Sequence, residues 1–187
     1  LDIEREDVAL RDRYGRGENK NIADGGPHLL DNFLIARRLV SAGVRCVTLA
    51  FSRWDWHGNN FGRARTDMPM LDQATSALVE DLERHDMLDD VTVLVWGEFG
   101  RTPKLNKSGC RDHWPHCFSA LVAGGGTPGG TIVGASDAKG AYPARRPVSP
   151  TEFAATIYDR LGIDVTNDLR IRPFINNSIP VEELVGA

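Results

Sequence analysis

Three short segments of the chain gather the residue types that hold metal ions and serve hydrolytic chemistry. The first is Trp54-Asp55-Trp56-His57-Gly58-Asn59-Asn60. Asp55 and His57 are two residues apart, so an extended loop turns their side chains to the same side. There a carboxylate oxygen and an imidazole nitrogen can share one hard or borderline cation. The same spacing also suits a strand-to-helix loop in which Asp55 caps backbone amides. The second segment is Trp96-Gly97-Glu98-Phe99-Gly100-Arg101-Thr102-Pro103. Gly97 and Gly100 permit tight turns that present Glu98 at a strand tip as a ligating acid. Arg101 is expected to face the same crevice, its guanidinium either paired with Glu98 or clamping a tetrahedral oxyanion through two hydrogen bonds.

The third segment, Gly109-Cys110-Arg111-Asp112-His113-Trp114-Pro115-His116, is the densest. Asp112, His113 and His116 fall in a Gly- and Lys-rich stretch without helical or strand period, a pattern that packing does not explain. Of the five histidines, His57, His113 and His116 lie in these segments, whereas His28 and His85 read as solvated. Together the segments point to a one- or two-metal site with Asp55, His57, Glu98, Asp112, His113 and His116 as ligands and Arg101 as the catalytic, anion-binding group. The expected cofactor is a divalent metal, zinc first, with calcium, magnesium or manganese as alternatives. Such a site polarises a phosphate or sulfate oxygen and lowers the pKa of a bound water or hydroxyl. The competing reading makes Asp112 and Arg101 a surface ion pair and ties the histidines to backbone carbonyls. Cys110 beside His113 is set aside as a nucleophile, because no helix start is at hand to lower its pKa.

The elements that must position these loops follow from periodicity. Leu29 to Ala42 places Leu30, Phe33, Leu34, Leu39 and Val40 at helical spacing and ends at Gly43, a good residue for the left-handed position after a helix. The β-branched, apolar run from Val44 to Phe51 predicts a buried strand. Met68 to Asp86 repeats Leu71, Ala74, Leu78 and Leu82 on one face of a second helix, and Asp89 and Asp90 make a turn. Val91 to Trp96 and Phe118 to Ala123 predict two more buried strands. Ser149, Pro150 and Glu152 supply an N-cap, a first-turn proline and a capping-box acid for a helix that carries Phe153, Ile157 and Leu161 and stops at Gly162. Helices alternating with buried strands predict an α/β fold with a mostly parallel sheet flanked by helices, with ligands beyond the carboxyl ends of the strands.

The 187 residues, 41% hydrophobic and 26% charged, are ordinary globular material and predict one α/β domain over residues 1–187. A net charge of -4 with scattered arginines argues against nucleic acid as a partner. Cys46, Cys110 and Cys117 are an odd set without CxxC spacing, which indicates neither a disulfide framework nor a thiolate zinc ribbon. No apolar run approaches the roughly 20 residues that span a bilayer. The opening LDIEREDVALRDRYG lacks an initiator Met and reads as a helical piece of a longer protein.

The segments ARRLVSAGVRCVTLAF, WDWHGNNF, GEFGRTPKLNKSGCRDHWP, FSALVAGGG and RPVSPTEFAATIYDRLGID resemble the bacterial family called domain of unknown function 1501, which looks like a branch of the alkaline phosphatase and sulfatase superfamily. They cover most of residues 33 to 165. In that superfamily Asp and His residues on loops after successive strands hold the metals, and a Ser, Thr or modified Cys attacks phosphorus or sulfur. By position, Asp55 and His57 resemble the Asp and His pair of one metal, Glu98 stands where an Asp follows its strand, and His113 resembles the late histidine ligand. Glu98 is followed by Phe99 rather than His, and Asp55 and His57 stand closer together than the usual pair. The resemblance implies an incomplete alkaline phosphatase-like domain whose nucleophile region lies in an absent N-terminal portion. It implies a metal-dependent hydrolase of phosphate or sulfate esters, inactive as this fragment, with a small anionic ester or sulfated glycan as substrate and an exported or periplasmic location. The alternative function is a catalytically degenerate domain that binds a sulfated or phosphorylated glycan.

Overall fold

The computed structural model describes residues 2–23 and 25–185, so Leu1 of the opening segment lies outside the described residues. The chain divides into two compact units, one of residues 1–86 with 105–111 and the other of residues 87–104 with 112–187.

Unit 1 opens with a single 3-10 turn, Ile3–Arg5, and helix α1, Val8–Tyr14. Asp7 caps α1 by accepting from the amides of Ala9 and Leu10 at 2.7 and 3.3 Å. A short antiparallel pair follows, β1 (Glu18–Asn21) with β2 (Pro27–His28). Helix α2 spans Asp31–Ser41 and buries Phe33, Leu34 and Ala36, the face that the 3.6-residue period marks. Gly43 adopts a φ of 92 just beyond it, as its place after the helix predicts. Helix α3 spans Asn60–Arg84 and buries Ala74, Ala77, Leu78 and Leu82. The core of this unit joins those residues to Tyr14, Leu30, Phe51 and Trp56.

A buried charged cluster ties the helices together. Asp81 of α3, 1% exposed, accepts from the Tyr14 hydroxyl at 2.9 Å and from Arg37 Nε at 2.7 Å. Arg37 also reaches Glu6 at 3.0 Å, and Arg38 pairs with the same carboxylate. Burial, and after it the Asp81 charge, pushes the Tyr14 phenol well above its ordinary range.

Among the described residues, unit 2 contains three antiparallel pairs: β3 (Thr92–Val95) with β6 (Leu121–Gly124), β4 (Gly100–Arg101) with β5 (His113–Trp114), and β7 (Ala135–Ser136) with β8 (Pro143–Arg145). Helix α4, Pro150–Arg160, carries the predicted capping box: the Glu152 amide donates to Ser149 Oγ at 3.1 Å and the Ser149 amide donates to Glu152 Oε2 at 2.8 Å. Ala155 packs with Val165 and Ile175 in a core that α5, Glu182–Val185, follows. Arg160 donates to the carbonyls of Gly125 at 2.8 Å and Leu184 at 2.9 Å, joining the glycine turn to the last helix.

Three expectations need correction. All four pairings among the described residues are antiparallel, so the expected mostly parallel sheet is not formed by them. An apolar run marks a segment as extended and says nothing of its neighbour's direction. The segment from Val44 to Ala50 forms no ladder among the described residues and is largely exposed, Val44 and Leu49 at 39% each; the backbone bonds to Gly26 and Pro27 are made by Ser52, beyond its end. The strands β3 and β6 are half-buried rather than buried, with Leu121 at 48% exposure. No helix of the described residues is long and apolar enough to cross a membrane.

Candidate metal centre

In unit 1 the loop between Phe51 and α3 buries Phe51, Ser52 and Trp56 and exposes Trp54, Asp55 and His57. The rings of Phe51, Trp54 and Trp56 form a staircase, with centroid separations of 6.2 Å and 5.1 Å. Trp54 Nε1 donates to the Phe51 carbonyl at 2.6 Å, and the Trp56 amide donates to the Trp54 carbonyl at 2.8 Å. With Trp56 held inside at 7% exposure, Asp55 and His57 turn outward together. His57 Nε2 lies 3.0 Å from Asp55 Oδ1, with side chains 60% and 47% exposed. The i, i+2 reading of this pair therefore describes its geometry.

The fit to a cation can be judged from that distance. Two ligand atoms on one tetrahedral zinc, at bond lengths of about 2.0–2.2 Å, lie about 3.3 Å apart. The observed 3.0 Å needs only a few tenths of an ångström of opening. The second carboxylate oxygen, Oδ2, faces the Arg53 guanidinium at 3.8 Å, which leaves Oδ1 as the oxygen turned toward the imidazole.

The loop rests on polar contacts that periodicity did not reveal. Ser52 has a φ of 59, a left-handed conformation that costs a non-glycine residue about 1–2 kcal/mol. Its amide donates to the Pro27 carbonyl at 3.3 Å, and its carbonyl accepts from the Gly26 amide at 2.8 Å. Its hydroxyl donates to Asp67 Oδ2, and His28 Nε2 stands 3.0 Å from Ser52 Oγ and 3.2 Å from Asp67 Oδ1. Ser52 and Asp67 are 4% and 5% exposed. His28, expected to be solvated, is instead partly buried against the Phe51 ring at 5.5 Å. At the far end of the loop Asn60 Nδ2 donates to the Trp56 carbonyl at 3.0 Å, while its Oδ1 accepts from the Arg111 amide at 2.7 Å.

The remaining sequence-derived residues belong to unit 2. Glu98 is exposed in the bend between β3 and β4. Arg101 and His113 are direct partners in the β4–β5 ladder. Gly100 permits the close approach of the Cys117 carbonyl, to which a Cβ there would stand at 2.2 Å, rather than the tight turn expected of it. Asp112 is exposed; its amide donates to Thr102 Oγ1 at 3.1 Å, and its carbonyl accepts from the Thr102 amide at 2.9 Å. The imidazole of His113 stacks on Phe99 at 4.3 Å. His116 joins a different ring group, 4.7 Å from Trp114 and 5.3 Å from Tyr142. The third segment is thus divided: Gly109 to Arg111 belong to unit 1, with Cys110 buried at 1%, and Asp112 to His116 to unit 2.

No curated protein and no solved structure matches the chain. Residues 1–170 match the family described as Protein of unknown function (DUF1501). With the WDWH and GRTP segments both inside that span, the chain belongs to the DUF1501 family.

Proposed function

We propose that the chain is the metal-binding part of a metal-dependent hydrolase of phosphate or sulfate esters, of the alkaline phosphatase and sulfatase type. The observation that carries this reading is the Asp55–His57 pair, an exposed carboxylate and imidazole held at 3.0 Å by the buried Trp56 between them. Two hard or borderline donors turned to solvent, a few tenths of an ångström closer than two ligands of one cation, suit zinc first. The proposed ligands are Asp55, His57, Glu98, Asp112, His113 and His116. When bound, the cation supplies a polarised oxyanion and a water or hydroxyl of lowered pKa. Arg101 is assigned to the anionic group of the ester, which a guanidinium holds through two parallel hydrogen bonds.

A second reading, a binding-only domain for a sulfated or phosphorylated glycan, draws on the ring group of Trp114, His116 and Tyr142, whose tyrosine is 50% exposed. Aromatic faces open to solvent are the usual platform for the apolar face of a ligand ring.

Elemental analysis of the purified chain tests the first reading, with His57→Ala and His113→Ala compared singly. The expected result is stoichiometric zinc in the wild type and its loss in His57→Ala. Loss of the same ion in His113→Ala assigns that histidine to the same cation, and retention removes it from that ligand set. Equal metal in the wild type and His57→Ala contradicts the proposal. Glycan binding without metal favours the second reading.

A further inference from the structure

We propose that Ser52, Asp67 and His28 form a lock that pre-positions the Asp55–His57 pair for its cation, a role that rests on the metal reading above. The lock lies wholly within unit 1. It gathers three polar side chains from three places in the chain: β2, the start of the metal loop, and the interior of α3.

Ser52 is the point at which the loop is fixed. Each of its polar atoms is engaged: the amide by Pro27, the carbonyl by Gly26, and the hydroxyl by Asp67 and His28. A left-handed serine persists only where its surroundings over-determine it, and here four contacts do so. The conformation at Ser52 sets the direction in which the next residues leave, and Asp55 follows three residues later. Asp67 is a costly residue to bury at 5% exposure, and its two oxygens are directed at Ser52 and His28. The lock therefore binds the first helical turns of α3 to the base of the loop. Those turns bury Asn60 and Asp67 in place of apolar side chains.

Residues that orient metal ligands from behind them contribute to affinity without touching the ion, and losing one typically weakens binding about 10- to 100-fold. Ser52, Asp67 and His28 are positioning residues in this sense. The lock acts on the backbone of the loop, and the aromatic staircase of Phe51, Trp54 and Trp56 transmits that constraint to the exposed pair.

Ser52→Gly removes the hydroxyl and relieves the backbone strain, so it tests the lock with little risk to folding; Asp67→Asn removes the charge at nearly constant volume. Amide hydrogen exchange of the metal-free chain, read at Gly26 and at position 52, reports opening of the lock. Titration with cobalt(II), followed by its visible absorption, reports the site, and Asp55→Ala serves as the control that loses a ligand. The expected result is faster exchange at both amides in both variants and cobalt binding weakened at least about 10-fold, with unchanged circular dichroism. Wild-type exchange in both variants overturns the lock. Faster exchange with unchanged cobalt affinity overturns its positioning role. A wild type that binds no cobalt, or binds it equally in Asp55→Ala, overturns the metal reading instead, while the exchange rates still decide whether the lock holds the loop.

Discussion

Replacing Arg37 by Met is expected to destabilise unit 1 by about 3–5 kcal/mol, because it leaves a buried carboxylate without its countercharge. The Arg37 side chain is 7% exposed and that of Asp81 1%, and Nε meets Oδ2 at 2.7 Å. In the variant Asp81 keeps the Tyr14 hydroxyl at 2.9 Å and His85 Nδ1 at 3.3 Å, and Glu6 keeps Arg38. Neither remaining contact to Asp81 is a permanent charge. Urea denaturation followed by circular dichroism at 222 nm is the suitable assay, since helices of 7, 11 and 25 residues in unit 1 outweigh those of 11 and 4 in unit 2. With a slope of about 1–3 kcal/mol per molar urea, the midpoint is expected to fall by more than about 1 M. Replacing the whole group by apolar residues, as in Tyr14→Phe with Arg37→Met and Asp81→Leu, is expected to recover most of the loss, since no uncompensated charge remains. A change below about 1 kcal/mol for Arg37→Met, or a triple variant as unstable as the single one, would refute the reasoning.

Other outcomes follow from the same geometry. Tyr14→Phe is expected to cost about 1.5–3 kcal/mol at neutral pH, the value of a hydrogen bond to a charged acceptor, measured by the same titration. Because the Tyr14 pKa is raised in the folded chain, its contribution is complete below the ordinary phenol range near 10 and is lost as pH rises above it, so Tyr14→Phe should show less alkaline destabilisation. Burial raises the Glu6 pKa, but the Arg38 hydrogen bond and the Arg37 charge outweigh it and hold the group below 4.5. Its contribution is therefore present above 4.5 and lost as pH falls, and Glu6→Gln should flatten the acid side of the stability profile. Ser149→Ala should cost about 1 kcal/mol by removing the α4 cap, read as a lowered thermal midpoint. Gly100→Ala forces a Cβ to within 2.2 Å of the Cys117 carbonyl, so it should open the β4–β5 pair, visible as faster exchange at the Thr102 amide.

What was legible in the sequence was what local chemistry decides. The capping box of α4 needs only Ser149, Pro150 and Glu152, and the α2 stop needs only Gly43. The outward turn of Asp55 and His57 needs only their spacing and the buried Trp56 between them. Partners distant in sequence were not legible. Helix α3 starts at Asn60, eight residues before its apolar period, because its first turns are secured by Asn60 and Asp67 through hydrogen bonds to Trp56, Arg111 and Ser52. Met68 precedes Pro69, a sequence that biases against helix, and the helix continues through it. The apolar run at Val44 carries β propensity but no instruction about which strand it should meet. His28 looked solvated because nothing near it in sequence announces Ser52 or Asp67.

Binding of one cation by Asp55 and His57, as proposed, is tested most directly by X-ray absorption at the zinc edge of the zinc-loaded chain. The expected spectrum shows nitrogen and oxygen at about 2.0–2.2 Å with imidazole scattering that diminishes in His57→Ala. A shell containing sulfur at about 2.3 Å, or a spectrum unchanged by His57→Ala, would place the metal elsewhere and contradict the account.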